Sequence, residues 1–348
     1  MKKFFALAAI AVLALASCSN NTLDPQSQKA REINFSTVTG MNTRTPLSGT
    51  TYKTTDPNFG VFCYALAADK NWTAHSADGQ VYMNKIEISY NSTDKIWEPS
   101  SAYYWPLSGS LTFIGFSPYT EAGKVAYANA SKTMTVTDYV AAADTTNQTD
   151  LMWATTQKDL TDNQAVYTPG GGDLLGVNMI FHHALSQVRF KVKKAAGLDD
   201  YTITVNSITF NAFSTGTLTV ANDVPSWGAA TVSQNYKSGE ADVVAPNNAS
   251  EFAVYGEPNM MVPQSLTAGN PLVANDQKFI ITYSLAKGDV PLGQKEVTVA
   301  LRTTDVSAWE QNKVYTYNIV IDLKKIYFNP TMVDWVNADP QPTQITVN

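Results

Sequence analysis

Between residues 315 and 323 every second side chain is apolar: Tyr315, Tyr317, Ile319, Ile321 and Leu323. A period of two belongs to a strand, whose successive side chains point to opposite faces. The signature recurs at Val188, Phe190 and Val192, with Arg189, Lys191 and Lys193 opposite, and at Ile33 and Phe35, flanked by Asn34 and Ser36. Further β-branched and aromatic runs fall at 58–66, 81–90, 111–119, 134–140, 150–154, 177–181, 202–210, 216–220, 251–255, 278–285 and 296–302, with turn residues between them. After residue 17 no helical spacing persists beyond about ten residues. An all-β fold is therefore expected. Each strand has an apolar face to cover, which predicts a β-sandwich, and 348 residues leave room for two in tandem. Gly170-Gly171-Gly172 marks the expected seam, giving an N-terminal body at 45–176 and a C-terminal body at 177–348. No Lys-Ser/Thr and no amphipathic helix follow these glycines, so they read as a turn and not as a phosphate loop.

The N-terminus carries processing signals. Residues 1–17 read as a secretory signal: Lys2 and Lys3 precede an uncharged apolar run at 4–16, too short to span a bilayer. Leu15-Ala16-Ser17-Cys18 resembles a lipobox, which places signal peptidase II cleavage between Ser17 and Cys18 and a lipid on Cys18. Residues 18–44 then form a leader: a polar stretch, the strand 33–38, and a turn region at 40–46 centred on Arg44. Lipid anchor, strand and protease site thus follow one another.

With 24 basic and 30 acidic residues the chain lacks the basic stripe that nucleic acid needs. Of two cysteines, Cys18 takes lipid, so Cys63 stands alone inside the strand 58–66 as a buried structural thiol, and the core must hold the fold. No cofactor or metal is expected. His182 and His183 are adjacent on a strand and point to opposite faces, and His75 lies far off in sequence. Asp199-Asp200 sits in a polar turn after Gly197, and no nucleophile–His–acid set or Gly-x-Ser-x-Gly elbow occurs. Tyr103, Tyr104 and Trp105 read as core or seam residues, with a sugar-stacking platform as the alternative; Trp97, Trp153, Trp227, Trp309 and Trp335 are assigned to the core. An enzyme is not expected.

Several spaced motifs coincide. They include Tyr103-Tyr104-Trp105-Pro106 leading to Phe113-Ile114-Gly115-Phe116-Ser117-Pro118-Tyr119, Asp150-Leu151-Met152-Trp153-Ala154, and Phe181-His182-His183-Ala184-Leu185-Ser186-Gln187-Val188. Trp309 with Asn312, Lys313, Tyr315 and Tyr317, then residues 326–328 and Val333-Asp334-Trp335, complete the set. Together with Cys18 and the strand before Arg44, they make the chain resemble the fimbrillin family of lipoproteins that build type V pili in Bacteroidetes-type bacteria. The resemblance implies two transthyretin-like β-sandwich domains and a precursor anchored to the outer membrane by lipid on Cys18. It also implies an Arg-specific protease that removes the first strand, with Ile33, Phe35 and Thr37 as the displaced side chains. The vacated groove then takes a donor strand from a copy of the same chain or from a related pilus subunit, forming an extracellular fimbrium that serves in adhesion to host or microbial ligands. The matching arginine is Arg44; Arg31 is the competitor, but a cut there leaves the strand in place. Two C-terminal segments alternate as a donor would, Val333 with Trp335 and Ile345 with Val347, and Pro330, Pro340 and Pro342 keep them out of central strands. Shaft, tip and anchor roles stay open. The alternative is an anchored surface lipoprotein of the same fold that binds glycans or host protein without polymerising.

Overall fold

The computed structural model describes residues 31–39, 58–93, 96–162, 176–239, 241–267, 276–323 and 326–335. Strands carry nearly all of the regular structure. The first ten are β1 (Phe35–Thr39), β2 (Phe59–Leu66), β3 (Gln80–Asn91), β4 (Ile96–Pro99), β5 (Ser110–Ser117), β6 (Val125–Ala128), β7 (Thr133–Val140), β8 (Met152–Ala154), β9 (Gln157–Leu160) and β10 (Val177–His183). The rest are β11 (Ser186–Lys194), β12 (Tyr201–Ala221), β13 (Val224–Trp227), β14 (Thr231–Lys237), β15 (Val243–Val244), β16 (Ala253–Met261), β17 (Gln264–Ser265), β18 (Lys278–Lys287), β19 (Val290–Ala300), β20 (Ala308–Trp309), β21 (Lys313–Ile321) and β22 (Ile326–Asp334). The α-helix among the described residues is a single turn, Trp72–His75, started where the Asn71 side chain accepts from the Ala74 N–H.

The first sheet closes on itself. Its order runs β2-β3-β4-β1-β10-β8-β5, and β5 pairs back to β2 from Leu66↔Ser110 to Gly60↔Phe116. Closure explains why β2 and β5 are apolar at nearly every position and not merely at every second one. Phe59, Val61 and Cys63 of β2 point into the ring with Leu111 and Phe113 of β5; Phe62, Tyr64, Leu66, Ile114 and Phe116 point out into a second core. Gly60 is forced by that crowding, since a Cβ there would stand 2.1 Å from the Phe116 ring. Cys63 is the buried thiol expected, its ionisation pushed up by burial.

Two sheets pack face to face over the C-terminal core. One is β16-β11-β21-β22; the other runs β19-β18-β12-β7-β6. Val188, Phe190 and Val192 of β11 and Tyr315, Tyr317, Ile319 and Ile321 of β21 meet Ile203, Val205, Ile208 and Phe210 of β12 and Phe279, Ile281 and Tyr283 of β18. The runs 202–210 and 216–220 are one strand and not two: β12 continues through 211–215, where β14 pairs with it. Its far end leaves the C-terminal core and covers the outside of the ring with Leu218 and Val220. Hydrogen bonds also run across the expected seam. β10, just after it, pairs with β1 and β8, while β6 and β7 join β12.

Candidate functional site

The segment 31–39 is bonded in turn to the backbone of 103–105, of β10 and of β4. Its first residues run antiparallel to 103–105: the Ile33 N–H donates to Tyr103 O at 2.8 Å, and the Trp105 N–H donates to Arg31 O at 3.0 Å. Tyr82 buttresses this strap, its hydroxyl donating to Tyr104 O at 2.6 Å and accepting from the Tyr104 N–H at 3.3 Å. Beyond Asn34 the segment becomes β1 and runs parallel to β10 from Phe35↔Val177 to Thr39↔Phe181. On its other side, among the described residues, it pairs with β4 at Phe35↔Trp97. At the crossing the Val177 N–H donates to Asn34 O at 2.7 Å, and Gly176 lies against the same carbonyl; a Cβ on Gly176 would stand 2.6 Å from it.

Burial follows the period read from the sequence and then exceeds it. Ile33 is 1%, Phe35 2% and Thr37 8% exposed on the ring side, as one face of a strand requires. Ser36, on the other face, is also only 6% exposed, so β1 is covered on both sides there. The Phe35 ring stands edge-on to Phe59 (6.0 Å between centroids) and to Phe113 (5.7 Å). Phe59 in turn packs on Trp97 and Phe181. The interior of the ring is thus assembled around one aromatic side chain delivered by the first strand.

The other singled-out residues fall as follows. Arg31 is exposed and pairs with Asp162 at 3.2 Å. Cys18, Arg44, Ile345 and Val347 lie outside the described residues. Val333 sits in β22 opposite Val314, and the Trp335 N–H donates to Asn312 O at 2.9 Å. The Trp335 ring lies flat on His183 (4.1 Å between centroids, 1° between planes), whose Nδ1 is 2.5 Å from Asp150 Oδ2. His182 turns the other way, stacks on Trp153 and contacts Thr155 Oγ1; burial, then the neighbouring His183, lowers its proton affinity. Of the 103–105 run, Trp105 is core against Phe113, Tyr103 is half-buried against Tyr82, and Tyr104 is exposed. Trp97, Trp153 and Trp309 are buried; Trp227 and Trp335 are half-buried. Among the described residues no three His, Cys, Asp or Glu side chains gather around one point. Tyr82 and Gly176 were not anticipated. Their only advance signals were a tyrosine in a strand and a glycine bordering an apolar run.

The architecture is shared with solved bacterial proteins. The chain is similar to a fimbrial protein from Bacteroides vulgatus, with 18% identity, a TM-score of 0.62, and coverage of 88% of this chain and 100% of that one. It is also similar to a protein described as a cell adhesion protein from Bacteroides uniformis, with 14% identity, a TM-score of 0.50, and coverage of 88% and 98%. No curated protein matches. The fimbrillin-like family model matches residues 43–335, and the chain belongs to that family.

Proposed function

We propose that the protein is a structural subunit of a surface fimbrium whose first strand is removed so that a neighbour can replace it. It is exported as a precursor held at the outer membrane by lipid on Cys18. An Arg-specific protease cuts after Arg44, and subunits then join through donor strands. Family membership supports the pilus role. The observation that carries the strand-replacement step is the seating of residues 31–39, where Ile33 of the strap and Phe35 of the short parallel strand β1 complete a ring built by later residues.

Removing 31–39 would take away two large apolar side chains worth roughly 1.5–3 kcal/mol each and leave the backbone of β10 and of 103–105 unpaired. Such an edge is a template for any extended strand, and a strand supplied from another subunit restores both terms. The contact is head-to-tail and does not close, so repetition gives a filament that can carry adhesive subunits to host or microbial surfaces. The position of the cut has two supports. The Arg31 carbonyl is held by the Trp105 N–H, so a protease would have to peel the strap before reaching it, and a cut there would leave β1 seated. The family match begins at residue 43, two residues before the Thr45 with which a chain cut after Arg44 would begin. For the donor, Val333 and Trp335 are engaged with β21, Asn312 and His183 of their own chain, which favours Ile345 and Val347.

N-terminal sequencing of protein sheared from cells tests the proposal. The expected first residue is Thr45. Arg44→Ala should leave a folded, membrane-bound precursor and no fibres; normal fibres from that variant would exclude this site.

A further inference from the structure

We infer that the β1 slot is selective, favouring a donor strand with an aliphatic residue, an aromatic residue two positions on, and short hydroxyl side chains next, and that its best partner is a different subunit and not the tail of a second copy. The inference rests on the strand-replacement reading above.

Each position of the slot has its own demand. The seat at Phe35 is formed by the edges of Phe59 and Phe113, and Phe59 is itself held by Trp97 and Phe181. These rings are fixed by one another, so a smaller side chain would leave a void that its neighbours cannot fill. At 36 and 37 both faces are covered, at 6% and 8% exposure, which admits Ser and Thr and excludes long side chains. Register is locked as well. The strap holds the backbone at 31 and 33, and Gly176 with the Val177 N–H holds Asn34 O. Sliding a donor by one residue would turn its apolar face outward, and sliding it by two would carry the aromatic ring to the place of Ile33.

Donors available from a second copy fit this pattern poorly. Ile345-x-Val347 supplies the aliphatic residue but offers valine to the aromatic seat. Past Leu323, two stretches do read aliphatic-x-aromatic, Ile326-x-Phe328 and Val333-x-Trp335. Residues 326–334 are paired along β21, and Trp335 is bonded to Asn312 and stacked on His183. A copy could present either one only by stripping an edge strand from its own C-terminal sheet.

The test uses the full-length chain cut by an Arg-specific protease, with fluorescent peptides exchanged into the slot and followed by anisotropy. Four peptides are compared: residues 31–39, the same with Phe35→Val, residues 341–348, and the same with Val347→Phe. The inference expects capture of the 31–39 peptide, a loss of about 10- to 100-fold for Phe35→Val, and a gain of similar size when Val347→Phe is placed in the tail peptide. If all four bind within about threefold of one another, the slot accepts strands without reading them and the inference is overturned while strand replacement stands. If the cut chain captures none of them, strand replacement itself fails.

Discussion

Each half of the molecule contains a parallel strand pair, and the two pairs are held very differently. In the C-terminal half β11 and β21 run parallel from Gln187↔Val314 to Lys194↔Ile321, and each has a further bonded neighbour, β16 on one side and β22 on the other. In the N-terminal half β1 and β10 pair over five positions, and among the described residues the far side of β1 pairs with β4 at Phe35↔Trp97. The C-terminal core draws no member from residues 31–39, whereas the N-terminal core takes Ile33 and Phe35 from there. The same alternating pattern has therefore produced one core that takes nothing from the first segment and one that is completed by it.

The strongest way to break that comparison is to empty one aromatic seat in each half. Phe35→Ala and Phe190→Ala each remove a buried ring, and each should cost about 3–5 kcal/mol. Phe190 packs on Phe210, Phe279 and Tyr317, all within the C-terminal core. Hydrogen exchange on the full chain should show loss of protection around β1, β4 and β10 for the first variant, with β11 and β21 unchanged, and the converse for the second. Equal loosening of both halves by Phe35→Ala would show that the N-terminal half is no more dependent on its insert than the C-terminal half.

A smaller effect is expected where the ring meets the β12 sheet. Asp223, in the turn after β12, accepts from the Thr156 N–H (3.0 Å) and Oγ1 (2.6 Å) and from Lys158 Nζ (3.0 Å). Burial opposes its charge, but the bonds from Thr156 and Lys158 outweigh burial and hold the carboxyl below its usual range. A depressed carboxylate contributes stability that is present above its unfolded pKa of about 3.9 and is lost as pH falls through the folded value. Asp223→Asn should therefore cost about 1–3 kcal/mol at neutral pH and flatten the acid limb of the stability curve below about pH 4. Denaturant titrations from neutral to acid pH measure both. An acid limb as steep as that of the unmodified chain would mean that this carboxylate does not tie the halves together.

How far this contrast could be read from the sequence depended on whether the signal was local. The face of β1 was legible, because Ile33, Phe35 and Thr37 fall two apart and only one side of a strand can receive them. Its parallel partner was not, since β10 lies far along the chain and strand period says nothing about which strand is adjacent. The closed ring was hidden for the same reason: β2 and β5 read as apolar runs, and such runs do not reveal what covers each face. Polar residues misled in two places. Thr, Ser and Asn at 211–215 suggested a break in what is one continuous strand. Lys193, on the face opposite the apolar residues of β11, is buried all the same, with its ammonium over the Phe252 ring and near Asn248 O.

The finest test sharpens the contrast without disturbing either core. Tyr82 bonds the Tyr104 backbone at both its C=O and its N–H and so supports the strap along residues 31–33. Tyr82→Phe removes the hydroxyl and keeps the ring beside Tyr103, so it should lower stability by only about 0.5–1.5 kcal/mol. If that loss falls on the strap, it should appear mainly as faster escape of the severed first segment, by about 2- to 10-fold, measured as the dissociation rate of a labelled N-terminus after the Arg-specific cut. Unfolding of the C-terminal core should be unchanged. A variant that weakens global stability yet releases the segment at the original rate would place the restraint on β1 in its pairing with β10 alone and remove the strap from the account of how the insert is held.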